Sequence, residues 1–79
     1  MKLKILTPTE TKFKGEILAL NIKTLSGEIT ILDDHEPMIS MFEKGTAHIT
    51  DKQNQRTAIQ IGAGFLEVTP ENELNVLTD

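Results

Sequence analysis

Asp33-Asp34-His35-Glu36 is the only run of side chains in this sequence with the chemistry of a hard-cation site. Four consecutive residues in a loop point in different directions and cannot converge on one ion, and no further ligand is identifiable, so no metal site is expected. His48 lies between Ala47 and Ile49. Two-residue alternation turns its ring to the face opposite both neighbours, and no Ser or Cys motif supplies a nucleophile for it to activate. A surface or interface imidazole is the expectation. Gly62-Ala63-Gly64 lacks the third glycine and the following helix start of a dinucleotide loop, so it reads as a tight corner. These residues point to neither a catalytic centre nor a cofactor, and no small-molecule ligand is expected.

The elements that must carry these residues belong to one small domain. The chain has 79 residues, of which 38% are hydrophobic, 25% charged and 4% aromatic, too few for two separate cores. The absence of Cys excludes disulfides and thiolate metal sites, leaving packing or a partner to stabilise the fold. The longest apolar run, Ile17 to Leu20, is far below the ~20 residues that cross a bilayer. No signal-peptide-like stretch follows Met1-Lys2, so the chain reads as cytosolic or peripheral, without direct membrane insertion. A net charge of −4 with scattered cations argues against nucleic acid as a partner. Charge is nevertheless uneven: Lys2, Lys4, Lys12, Lys14 and Lys23 dominate the first third, and Glu28, Asp33, Asp34, Glu36 and Glu43 the middle. That asymmetry is either a solvated face or an electrostatic docking edge.

Period-2 alternation bounded by turn residues recurs along the whole length, which is the mark of half-buried strands. Leu3 and Ile5 alternate with lysines until Pro8 breaks the run. A segment from Phe13 to Lys23 places Leu18, Leu20 and Ile22 on one face. Ser26-Gly27, the loop 33–37, Lys44-Gly45, the polar run 51–55, Gly62-Ala63-Gly64 and Pro70-Glu71-Asn72 punctuate the remainder. On the strand Met38 to Phe42, Met38, Ser40 and Phe42 share one face and Ile39 and Met41 the other, so one set is core and the other is free for a partner. The expected class is all-β, a small antiparallel β-sandwich or flattened barrel of about eight to ten short strands.

Two resemblances bear on function. Asp51-Lys52 on its hairpin superficially resembles the loaded lysine of lipoyl and biotinyl carrier domains, although Gln53-Asn54-Gln55 makes the loop softer and more polar than theirs. Ser26 to Pro37 resembles the pattern Gly-Glu-x-Gly-Ile-x-Pro-Gly-His-x-Pro of the epsilon subunit of F-type ATP synthases. Phe13-Lys14-Gly15-Glu16, Phe42-Glu43-Lys44-Gly45, Gly62 to Val68 and Val76-Leu77-Thr78-Asp79 fall into line with further blocks of that family. The likeness is collinear over residues 1–79. Thr30 stands where the family has glycine, and Asp33-Asp34 where it has Pro-Gly.

The resemblance implies the family's amino-terminal β-sandwich domain over residues 1–79, without the carboxy-terminal helical hairpin into which family members commonly continue. It implies a non-catalytic subunit of the rotor's central stalk, at the cytoplasmic face of a bacterial membrane. Its partners are the gamma subunit and the c ring, between which it couples ion-driven rotation to ATP synthesis. Thr7, His35 and Ser40 fall at positions that face gamma, and Met38 shares the strand face of Ser40. Lys23, Leu25, Ser26, Gly27, Glu28, Ile29 and Thr30 fall at the loop that faces the c ring. A stand-alone β-sandwich module for an unrelated protein partner is the alternative.

Overall fold

The computed structural model describes all of residues 1–79. Eight strands follow in order: β1 (Lys2–Leu6), β2 (Thr11–Thr24), β3 (Gly27–Leu32), β4 (Met38–Phe42), β5 (Gly45–Asp51), β6 (Arg56–Ile61), β7 (Gly64–Val68) and β8 (Glu73–Thr78). They form one hydrogen-bonded path, β4-β7-β8-β1-β2-β5-β6, with β3 added to β2. The chain is therefore all-β and two-layered, as the alternation predicts. The sheet is antiparallel except for β1 and β8, which pair in parallel from Lys2 with Glu73 to Leu6 with Leu77. This parallel pair is a departure from the purely antiparallel expectation: β1 and β8 are distant in sequence and need no hairpin to join them.

The long strand β2 belongs to both layers. Its first half, from Thr11 to Glu16, pairs with β1, and its second half pairs with β5 on one side and β3 on the other. Between the halves the register slips, with Ile17 opposite Asp51 but Ala19 opposite Thr50. The extra residue reverses the inward parity of the strand. Ile17 is buried before the slip, and Leu20, Ile22 and Thr24 after it. Leu18, expected beside Leu20 and Ile22, instead faces outward and is 36% exposed, because simple alternation does not anticipate the bulge.

Inward positions of all eight strands meet in one apolar core that includes Leu3, Ile5, Ile17, Leu20, Ile31, Ile49, Leu66, Leu74 and Val76, with Phe13, Ile29, Met38 and Ile59 packed against it. The two buried threonines are satisfied locally. Thr24 Oγ1 donates to the Gly27 carbonyl at 2.8 Å and Thr78 Oγ1 to the Ala63 carbonyl at 3.4 Å. Turns occupy the positions that glycine, proline and Asn/Asp mark in the sequence. Asp34, Asn54 and Asn72 take positive φ, a conformation their short polar side chains tolerate, and Gly27 has φ 117°.

The corner before β7 is set by contact. A Cβ built on Gly64 falls 1.9 Å from the backbone carbonyl oxygen of Leu77, whereas one on Gly45 meets nothing nearer than 3.8 Å. Gly64→Ala must therefore push β8 away from β7, and it is expected to cost about 2–3 kcal/mol, read as a lower urea midpoint at unchanged slope. Gly45→Ala serves as the control and should change the unfolding free energy by no more than about 0.5 kcal/mol.

Candidate interaction surfaces

The hairpin joining β2 and β3 gathers Lys23, Leu25, Ser26, Gly27, Glu28, Ile29 and Thr30 into one projection at the end of the sandwich. Its turn is held from within, since Thr24 Oγ1 also accepts the Ser26 N–H at 3.1 Å. Lys23 and Glu28 lie opposite each other across the ladder. Ile29 turns inward against the core, and Thr30 Oγ1 accepts a hydrogen bond from Asn21 Nδ2 at 2.9 Å on the outer face. Leu25 is 63% exposed, while its backbone N–H donates to the Met41 carbonyl at 2.9 Å and ties the hairpin to β4. Beside it opens a cleft of about 230 Å³ between the segments 22–25 and 43–46, floored by Ile22 and Ile61.

The outer face of the β4-β7-β8-β1 layer carries an apolar row. Met41 pairs with Phe65, Phe65 with Leu77 and Leu77 with Leu6, so one register line crosses four strands without a polar side chain. Ile39, two residues before Met41 on β4, is 70% exposed and Met41 61%, the two most open large apolar residues of the sheet itself. The next line reads Ile39, Glu67, Asn75 and Lys4, and so turns polar away from β4. The outer face of the opposite layer is mixed: Thr30, Asn21, His48 and Ala58 form its central row, while Leu32 at the end of β3 is 56% exposed. An apolar row this open on a small domain is the kind of surface that proteins reserve for a partner.

The far end of the sandwich is electrostatic. Met1 is buried opposite Ile17, and its α-ammonium donates to the Ile17 carbonyl at 3.2 Å and to Asp33 Oδ1 at 2.5 Å, with Glu16 3.9 Å away. The hydrogen bond from this ammonium holds the Asp33 carboxyl below its ordinary value of 3.8; partial desolvation opposes the shift, while the ammonium's charge, Asn72 and Lys52 add to it. Asp34 N–H donates to Asn72 Oδ1 at 2.8 Å. His35 Nδ1 lies 2.8 Å from the carbonyl oxygen of Glu36. The acidic run thus diverges, as a loop of adjacent residues must. All three departures from the family pattern find local roles: Thr30 accepts a hydrogen bond from Asn21, Asp33 meets a cation, and Asp34 adopts the left-handed turn conformation with φ 60°.

The residues expected to face gamma are not brought together. Thr7 follows the last residue of β1, next to Pro8, Phe65 and Leu77. His35 lies at the opposite end, because its loop is tied to Asn72, whose carbonyl accepts the Lys2 N–H at the start of β1. Met38 and Ser40 are half-buried on the inner side of β4, leaving Ile39 and Met41 as its outward pair. Lys52 is exposed in the β5–β6 turn, where Asp51 Oδ1 is occupied by the N–H groups of Gln53 and Gln55. Sequence reasoning missed the continuous row through Phe65 and Leu77. Alternation marks each residue as one of a face, but only register places them side by side.

What this architecture defines is a two-layer β-sandwich whose exposed features are surfaces and a hairpin. Residues 1–79 match the family model described as the ATP synthase, Delta/Epsilon chain, beta-sandwich domain, and the chain belongs to that family. It is 35% identical over 79 residues to the ATP synthase epsilon chain of Clostridium kluyveri, covering 100% of this chain and 59% of that one. An Exiguobacterium ATP synthase epsilon chain is 31% identical over 67 residues, covering 85% and 49%. The matched residues therefore span 59% and 49% of the length of these relatives. Among solved structures, it resembles a chain in the cryo-EM structure of Euglena gracilis mitochondrial ATP synthase, OSCP/F1/c-ring in rotational state 1. There the TM-score is 0.89 at 23% identity, covering 96% of this chain and 48% of that one. A chain of the Tetrahymena thermophila mitochondrial ATP synthase central stalk/c-ring structure matches with a TM-score of 0.83 at 14% identity, covering 99% and 62%. These two likenesses are of fold.

Because Asp33 is held below 3.8 in the folded chain, its contribution to stability is complete above 3.8 and is lost as pH falls through the lowered native value. Asp33→Asn is expected to lower the thermal midpoint at pH 7. Melting curves of both proteins taken down the acid range should converge below 3.8 rather than stay parallel.

Proposed function

We propose that this chain is a non-catalytic rotor subunit of an F-type ATP synthase, seating a gamma-type stalk subunit on the apolar face of the β4-β7-β8-β1 layer and touching a c ring with the β2–β3 hairpin. In this reading it couples ion-driven rotation to ATP synthesis and lies peripherally at the cytoplasmic face of a bacterial membrane. The observation that carries it is the row Met41, Phe65, Leu77 and Leu6, joined to the hairpin by the Leu25–Met41 hydrogen bond. One contiguous scaffold then connects two differently built surfaces. Membership of the epsilon β-sandwich family supports the assignment of partners.

The chemistry of each surface suits its proposed task. An apolar row flanked by Glu67, Asn75 and Lys4 has the layout of an interface core with a polar rim. Thr7 borders that row, while Met38 and Ser40 support β4 from the inner side, so among the residues expected at gamma these three act at or beneath the face. His35 sits apart from it. At the hairpin, exposed Leu25 and Ser26 form the tip, with the Lys23 and Glu28 pair behind it. A close-packed sandwich with a cross-layer strand transmits force with little deformation.

Exchange of this chain for the epsilon-type subunit of a complete bacterial synthase, catalytic head included, tests both surfaces. Met41→Glu places an unpaired charge at the exposed β4 end of the apolar row, and it should weaken gamma capture at least tenfold. Glu28→Lys should leave gamma capture unchanged and lower ATP-driven ion pumping of the assembled complex. Since both residues are exposed, their variants should retain the parent's melting midpoint. Equal gamma capture by Met41→Glu and the parent chain would sink the assignment of the face.

A further inference from the structure

The lysines of the first third of the chain are brought together on the outer face of β1 and the first half of β2. Lys4 and Lys14 are direct register partners there, so two like charges stand opposite each other across the ladder. Both belong to the outward set of their strands, since Leu3 and Ile5 are buried and Phe13 packs against the core. Such a pair holds its Cβ atoms about 4.5–5.5 Å apart and is destabilising. No neighbour neutralises it. On its other side Lys4 faces Asn75 of β8, and Lys14 faces no strand, because β2 gains its further neighbours only from Ile17 onward. The lysines around the pair are engaged elsewhere: Lys2 stands between Glu73 and Glu16, and Lys12 Nζ donates to the Gln60 carbonyl at 3.3 Å. Neither Lys4 nor Lys14 has an ion pair or a side-chain hydrogen bond.

We propose that Lys4 and Lys14 form a two-pronged receptor for one carboxylate of the stalk subunit seated on the neighbouring apolar row, an inference that rests on the gamma-seating reading above and adds the group that fixes the partner's direction. Lys4 lies two residues from Leu6, the β1 end of that row, so the cations occupy one corner of the apolar strip. A carboxylate set between the two strands accepts from both ammoniums and replaces a repulsion with two attractions. At the opposite edge β4 turns only Ile39 and Met41 outward. A partner with apolar groups over β4, β7 and β8 and an acidic side chain over β1 and β2 therefore fits in one orientation; turned end for end, it leaves its carboxylate on apolar surface and the lysines unanswered. The face selects a discrete acidic side chain over an anionic lipid surface. Glu67, Glu73 and Glu16 share it with the lysines, and together they repel a continuous layer of negative charge.

In the exchanged synthase, Lys14→Glu should weaken gamma capture roughly tenfold and Lys14→Gln about threefold, and added salt should weaken capture less in Lys14→Gln than in the parent. Both substitutions should raise the melting midpoint of the chain alone by roughly 1–4 °C, because they remove the like-charge pair. A lysine that merely supports the sheet would move capture and melting in the same direction. Lys52→Glu, which makes the same change of net charge on the β5–β6 turn of the other layer, should capture gamma as the parent does. Parent-like capture by Lys14→Glu where Met41→Glu has lost it would overturn the carboxylate contact and leave the seating on the row in place. Loss in Lys14→Glu with full capture by Met41→Glu would uphold the contact and overturn the seating. A lowered midpoint in Lys14→Glu, an equal loss of capture in Lys52→Glu, or binding of the parent chain to phosphatidylglycerol vesicles that Lys14→Glu abolishes would each overturn the inference.

Discussion

Everything in this fold depends on one strand changing layer. β2 runs from Thr11 to Thr24, pairing first with β1 and then with β3 and β5, and it can face a single core along its whole length only because one residue is bulged near Leu18. Without the bulge, Leu20, Ile22 and Thr24 would turn to solvent and both halves could not share the same interior. Met1 and Ile17 sit next to that bulge, bonded to each other through both backbone groups, so the contact with Asp33 lies where β2 changes its pairing partners.

The two ends of the sandwich are built on different physics. At the hairpin end, the hydrogen bonds are neutral: a buried threonine closes the turn, and a backbone bond ties Leu25 to the edge of β4. At the other end, charges hold the 33–37 loop, with Asp33 facing the ammonium and Lys52 nearby. The apolar row lies on the face between them. Its exposure follows from the core having been filled by the inward residues of the same strands, Leu66, Val68, Leu74 and Val76, which leaves Phe65 and Leu77 on the outside.

The sequence read alone makes the strands and nearly all the turns legible, because both are local. Alternation needs only neighbouring residues, and glycine, proline, Asn and Asp mark the turns by their own backbone preferences. It also separates Ile39 and Met41 from Met38 and Ser40, without telling which pair is outward. The Leu18 parity was misread, since a bulge has no strong signature in side-chain type. The site residues expected at the hairpin were contiguous in sequence and stay contiguous in space. Thr7 and His35 were matched from separate segments, and the parallel pairing of β1 with β8 puts them at opposite ends.

Family membership, the all-β class and the positions of its loops were therefore determined by residue order, through local conformational preference and collinear motifs. Which strands neighbour one another was decided only by tertiary packing, because register is a long-range choice made by the whole core at once. That choice assembles Met41, Phe65, Leu77 and Leu6, drawn from four strands, into one apolar row. It also carries Asp33 across 32 positions of chain to the Met1 ammonium, turning an added acidic residue into a fastening.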